Sequence, residues 1–251
     1  MINLITSFFI PKQVERQNEL LKCLTNNINS RYIKKIYLCI EKKDDLDFLK
    51  EKINPKGKIQ LILLNKQPTY ADYLKIANRL QGEICMISNA DIWLKKCDQE
   101  VINILKEHPN ICYSLTRHEY DMSCPLITRY EQMGQGFQSY DSFIFKSPMN
   151  IDYKLIDHVQ NIMGSENLFK IELEKVGIKF INPCKVIVIV HEHKSGVRTY
   201  KIDDDILSLQ HYSFLKITPI LDKNGLINYL RNLQKNYRNK KYSTVSSLFS
   251  R

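Results

Sequence analysis

The sequence predicts an α/β protein with a mixed, mostly parallel sheet flanked by helices. Three observations carry that expectation. Through residues 1–120, short β-rich apolar runs alternate with stretches of helical spacing, the pattern of strand–helix–strand crossovers. The runs are almost continuously apolar, as strands covered on both faces are. With 251 residues, 43% hydrophobic and 25% charged, the chain is long enough for one domain with a sizeable core and has an ordinary globular composition.

Each element follows in order. Leu4 to Ile10 is an apolar strand stopped at Pro11, and Val14 to Asn26 places Leu20, Leu21 and Leu24 on one helical face. Ile36 to Ile40 is a second strand, and Asp44 to Lys52 a charged helix. Ile59 to Leu64, Ile84 to Ser88 and Ile111 to Thr116 are further strands. Helices from Tyr70 to Leu80 and from Asp98 to Glu107 separate them, Asp98 being a good N-cap. From Asp121 to Tyr140 the pattern stops. A stretch of this length inside a domain is expected to be functional or mobile, and with Gly134 and Gly136 it reads as a mobile loop that orders over a ligand. Regularity returns with a strand Ser142 to Lys146, a helix from Ser165 stopped by Gly177, and a strand Val186 to His191. Residues 201–251 read as a basic helical extension after a main domain of residues 1–200, and no internal repeat is visible.

Several classes are set aside by composition. No run approaches the roughly 20 apolar residues that span a bilayer. Met1 to Ile10 lacks a basic leader and a cleavage site, so it reads as a strand and not a signal peptide. Seven scattered cysteines with no CxxC pair indicate neither a zinc knuckle nor a disulfide framework, and a reducing cytoplasm fits them best. The net charge of +10 points to acidic partners, although the lysines are spread along the chain.

Three constellations could carry chemistry. Parallel sheets bind ligands beyond the carboxyl ends of their strands. Ser88-Asn89-Ala90-Asp91-Ile92 occupies such a position, where Asp91 could join a hard cation to a diphosphate, or simply shape a turn. His191-Glu192-His193 ends another strand with both imidazoles on one face, half of a metal site or a pair of capping groups. Arg198 follows and could hold a phosphate by its planar fork. Gly164-Ser165-Glu166-Asn167 opens a helix. Ser165 there suits a cap, and Glu166 either complements the helix dipole or acts as a general base. Asp141 is a second carboxylate candidate.

The order of these motifs resembles the GT-A glycosyltransferases. Glu166 on a helix, Gly177, Asn182-Pro183, an apolar strand and His191 match the second half of such enzymes. The chain is most similar to small transferases of bacterial polysaccharide clusters and large DNA viruses. That likeness rests on Ser88 to Ile92, Leu115 to Glu119, Tyr140 to Lys146 and His191 to Tyr200, and covers about residues 1 to 200. The family's Asp-X-Asp stands here as Asn89-Ala90-Asp91, leaving Asp91 as its one carboxylate. Glu166 occupies a position where other members often carry Asp.

The resemblance implies transfer of a sugar from a nucleotide diphosphate sugar, with UDP favoured, to a glycan or lipid-linked acceptor. Asp91 with His191 or His193 would hold Mn²⁺ or Mg²⁺, the mixed ligands leaning toward manganese. Thr6, Ser7, Phe8 and Asn89 would line the nucleotide pocket, and Thr69, Tyr70 and Asp72 would help hold base or ribose. Arg117 and Asp141 would hold the sugar, and Glu166, failing it Asp141, would deprotonate the acceptor. A sugar-phosphate nucleotidyltransferase is the same-fold rival, but Ile10-Pro11-Lys12-Gln13 lacks the Gly-rich basic signature expected there. A non-catalytic module for nucleic acid or anionic membrane is a third reading. Tyr229 to Tyr242 interleaves basic and aromatic residues only in part, so nucleic acid is not expected, and the segment reads as a solvated basic helix or, through its apolar and basic sides, as a peripheral membrane contact.

Overall fold

In the computed structural model, which describes residues 1–120, 140–197, 218 and 220–232, the first half of the chain builds a parallel sheet. Strand β1 (Ile2–Phe8) pairs in parallel with β2 (Ile33–Ile40) on one side and β4 (Ile84–Ser88) on the other. Strand β3 (Ile59–Leu63) adds to β2 at the edge, again in parallel. Helices α1 (Val14–Asn29), α2 (Lys43–Lys52) and α3 (Tyr70–Asn78) make the crossovers.

The apolar runs are continuous because both faces of the sheet are covered. Leu4 and Phe8 of β1 pack with Leu20 and Leu24 of α1, whereas Ile5 between them faces α3. Burying a side chain of this size contributes about 1.5–3 kcal/mol, and one polar substitution in such a strand would forfeit it.

The second half closes the sheet with opposite polarity. After β5 (Ile92–Cys97), α4 (Gln99–Glu107), β6 (Ile111–Leu115) and the two-residue β7 (His118–Glu119), the chain returns as β8 (Ser142–Lys146). Strand β8 inserts between β4 and β6, antiparallel to both. A 3₁₀ turn (Tyr153–Ile156) and α5 (Ser165–Lys175) lead to β9 (Lys179–Ile181), which runs parallel to β6 at the far edge. The seven-stranded order is β3-β2-β1-β4-β8-β6-β9. The sheet is mixed and mostly parallel, as the alternation predicted. A second sheet, β5-β10-β7, is centred on β10 (Ile187–His191).

Local expectations divide. Asp98 caps α4, its carboxylate accepting from the backbone N–H groups of Glu100 and Val101. Ser165 does not cap α5. That position belongs to Gly164 in the left-handed region at φ 87°, and the Ser165 hydroxyl donates to the Gln160 carbonyl at 2.9 Å. A glycine there tolerates the positive φ that turns the chain sharply into the helix.

A last helix, α6 (residues 223–232), buries Leu226 and Leu230 in the core shared by β1 and α1. The expected boundary at residue 200, the loop at 121–139 and the basic segment beyond residue 232 lie outside the described residues.

Candidate active site

The strand order reverses at β1 and β4, a switch point beyond whose carboxyl ends a crevice is left between the diverging connections. Just past β4 the chain makes a tight turn, in which the Ile92 N–H donates to the Asn89 carbonyl at 3.2 Å. The antiparallel register of β5 with β10 pairs Ile92 with His191. One step further along the ladder, the Glu192 N–H donates to the Asp91 carbonyl at 3.0 Å. Register thus brings residues a hundred positions apart to one point.

At that point three basic groups converge on a single oxygen, Asp91 Oδ2. His191 Nε2 lies at 3.1 Å, His193 Nδ1 at 3.7 Å and an Arg16 guanidinium nitrogen at 2.5 Å. Burial alone would raise the Asp91 pKa, but the two imidazoles and the Arg16 charge outweigh it and hold the carboxylate well below its ordinary range. His191 Nδ1 faces Glu119 Oε2 at 3.3 Å. Burial disfavours the imidazolium, yet hydrogen bonds to Asp91 and Glu119 push its pKa up to about 9. Glu119 falls to about 2, chiefly through His191 and, against the cost of burial, the Arg117 charge.

A second group of charges sits beside the first. Arg117 donates to Asp141 at 2.7 Å and to Glu119 at 3.3 Å. Asp141 is fixed by its backbone, which donates to the Leu115 carbonyl and accepts from Asn89 N–H. Glu166, in the first turn of α5, has a desolvated carboxyl whose pKa rises to about 7, through burial first and the Asp141 charge second. Asp91 and Glu166 thus share a cleft while their environments push their pKa values apart, which is how acid–base roles are assigned to carboxylates.

The cleft has two contiguous lobes of about 290 and about 300 Å³. Ser7, Phe9, Gln13, Glu41 and Tyr73 line the first, and Arg117, Asp141, Glu166, His191 and His193 the second. Asn89, Asp91 and Arg16 border both.

Of the residues expected in the nucleotide pocket, Ser7 and Asn89 line it and others do not. Thr6 is buried, donating to the Ser88 carbonyl at 2.9 Å. Phe8 stacks on Phe48 in the core, and Tyr70 is wholly buried against Phe169. Thr69 and Asp72 form a capping box at the start of α3, with Asp72 paired to Lys66 at 2.7 Å. Strand alternation explains Thr6 and Phe8, since Ser7 between them faces the cleft. Arg198 lies outside the described residues. Sequence reasoning missed Arg16 and Glu119. A lone arginine on an amphipathic helix carries no motif, whereas Glu119 belongs to the quoted Leu115–Glu119 stretch and was given no role.

The donor set fits a divalent cation. One ligand atom each from Asp91, His191 and His193 lie within 4.8 Å of one another. The buried His193 Nε2, Asn89 Oδ1 and Asp141 Oδ2 atoms have no hydrogen-bond partner. Buried polar atoms are rarely left so, and three around one cleft mark a place built for a polar ligand.

A mixed, mostly parallel seven-stranded sheet flanked by helices, with a small second sheet beside it, is the architecture of the GT-A fold, as the solved structures to which the chain is similar bear out. No protein-family model and no curated protein matches the sequence. Among solved structures, the chain is similar to TarS of S. aureus, residues 1–349, in complex with UDP-GlcNAc. The TM-score is 0.58 at 10% identity, over 84% of this chain and 65% of that one. It is also similar to the mannosyltransferase PcManGT of Pyrobaculum calidifontis in complex with GDP-Man and Mn²⁺. There the TM-score is 0.50 at 14% identity, over 84% of this chain and 69% of that one. The chain therefore spans about two thirds of the length of each.

Proposed function

We propose that the protein is a glycosyltransferase that moves a sugar from a nucleotide diphosphate sugar to an acceptor hydroxyl, with Mn²⁺ or Mg²⁺ as cofactor. One observation carries this reading: a potential metal-binding triad, Asp91, His191 and His193, shares a cleft with a desolvated carboxyl, Glu166, whose pKa lies near 7. The ligands named in the two similar structures, UDP-GlcNAc and GDP-Man with Mn²⁺, support the same class of donor.

In this reading the nucleotide occupies the lobe at Ser7, Gln13 and Tyr73, and the sugar and acceptor the lobe at Arg117 and Glu166. Asp91, His191 and His193 would hold the cation, which would supply positive charge to offset that of the leaving nucleoside diphosphate. Arg117 and Asp141 orient the sugar through their mutual ion pair. Glu166 takes the proton from the acceptor hydroxyl, a task suited to a base poised near neutral pH. The acceptor is a glycan or a lipid-linked sugar, and UDP-sugars are the first donors to try.

A thermal-shift panel of UDP- and GDP-sugars, with and without Mn²⁺, tests the proposal. A ligand that binds the folded state alone raises its melting temperature by mass action. A shift that needs nucleotide sugar and metal together is expected. No shift with any nucleotide, with or without metal, overturns the reading.

A further inference from the structure

Arg16 is a charged group at the site that the proposed mechanism does not use. It projects from the first turn of α1 and is mostly buried, with 13% of its side chain exposed. Its guanidinium has two sides with different work. Nη1 is anchored, donating to Glu19 Oε2 at 2.9 Å and to the Glu192 carbonyl at 3.1 Å. Glu19 is itself fixed by the Ser195 N–H at 2.6 Å and hydroxyl at 3.1 Å. Nη2 reaches the same Asp91 oxygen that His191 and His193 face. Among the described residues, Arg16 is the lysine or arginine shared by both lobes, so it stands between the nucleotide side and the acceptor side.

This placement sets up a competition. An arginine on the carboxylate oxygen that both histidines face competes with a divalent cation for that oxygen. Two positive centres a few ångströms apart also repel in a site of low dielectric. A guanidinium released from Asp91 while still anchored through Nη1 keeps its free edge in the cleft. There a diphosphate offers the oxygen pairs that a planar fork matches.

We propose that Arg16 is a pivoting cation that neutralises Asp91 until a divalent ion arrives and then turns to the donor's diphosphate. Metal and nucleotide binding are thereby coupled. This rests on the glycosyltransferase reading of the site. Arg16 opposes the metal in the free protein and favours the nucleotide in the metal-bound one, so removing it moves the two affinities in opposite directions. A purely structural arginine would on removal weaken both.

The test uses the full chain with Arg16→Ala and Arg16→Gln, the second retaining a donor for Glu19. Electron paramagnetic resonance of free Mn²⁺ gives the metal affinity, and calorimetry with UDP and with GDP at saturating Mn²⁺ gives that of the nucleotide. From the strength of charge-assisted hydrogen bonds, both variants should bind Mn²⁺ about fivefold or more tighter and the nucleoside diphosphate about tenfold weaker than wild type. If wild type binds Mn²⁺ and nucleotide but both variants bind Mn²⁺ equally or more weakly, the pivot is overturned and the functional reading stands. If wild type binds neither, the functional reading and the pivot fall together.

Discussion

Asp91 and Glu166 are both carboxylates in one cleft, and opposite surroundings shift their pKa values in opposite directions, which suits the different roles proposed for them. Asp91 is held ionised by Arg16, His191 and His193, which suits a ligand. Asp91→Asn is therefore expected to abolish Mn²⁺-dependent nucleotide binding, and equal calorimetric affinity for the variant would remove Asp91 from the site. Glu166, desolvated and beside Asp141, rises from an ordinary 4.5 to about 7. Its base form accumulates above that value, so kcat/KM should climb with pH through about 7 and flatten beyond it. Glu166→Gln should flatten that limb and lower kcat on the order of a hundredfold or more while donor binding persists. A variant that keeps the pH limb would show that another group, Asp141 first, is the base. Linkage gives the same shift a second sign. The folded carboxyl binds its proton more tightly than the unfolded one, so its contribution to stability is full below about 4.5 and is lost as pH rises through 7.

Between elements, α1 and β5 are joined by one buried amide. Asn27 Nδ2 donates to the Ile92 carbonyl and its Oδ1 accepts from Leu94 N–H, both at 3.0 Å. Asn27→Leu strips partners from two buried backbone groups and should cost about 3 kcal/mol in denaturant unfolding. Asp98→Ala loses a helix cap at α4 and should cost about 1 kcal/mol. Equal costs would mean that the Asn27 bridge does not join the sheet to the helix as drawn. These two side chains also show what the sequence made legible. Asp98 announces its role by standing before a periodic helix. Asn27 gives no signal, because its partners belong to β5, whose Ile-Trp-Leu-Lys-Lys-Cys run never alternates cleanly and was not anticipated. The same limit applies at the site. Strand-end position picked out Asp91 and His191, whereas Arg16 and Glu119 enter through packing and strand register. Antiparallel insertion of β8 was hidden too, since its apolar run reads alike in either direction.

For the molecule as a whole, the C-terminal segment is less detachable than its basic composition suggests. Leu226 and Leu230 are buried in the main core, and Tyr229 packs against it, so part of the apolar side expected to meet a membrane faces the domain instead. Truncation after Lys223 should therefore lower the melting temperature sharply, whereas truncation after Asn232 should not. Only the second deletion can then test anionic-vesicle binding by sedimentation, and unchanged salt-sensitive binding without residues 233–251 would clear that segment of the role. The insertion of β8 between β4 and β6 bears on how the protein is made. Strands β1 to β4 are complete once synthesis has passed Ser88, and each crossover among them is local. The remaining strands of the large sheet cannot assemble until residue 146 is available to fill the central place. His191 reaches Asp91 later still. A nascent chain on the ribosome could thus form the half that carries Ser7 and Tyr73 long before it can bring His191 and His193 to Asp91. On the proposed function, a chain ended before His191 would lack two of the three groups assigned to the cation, His191 and His193.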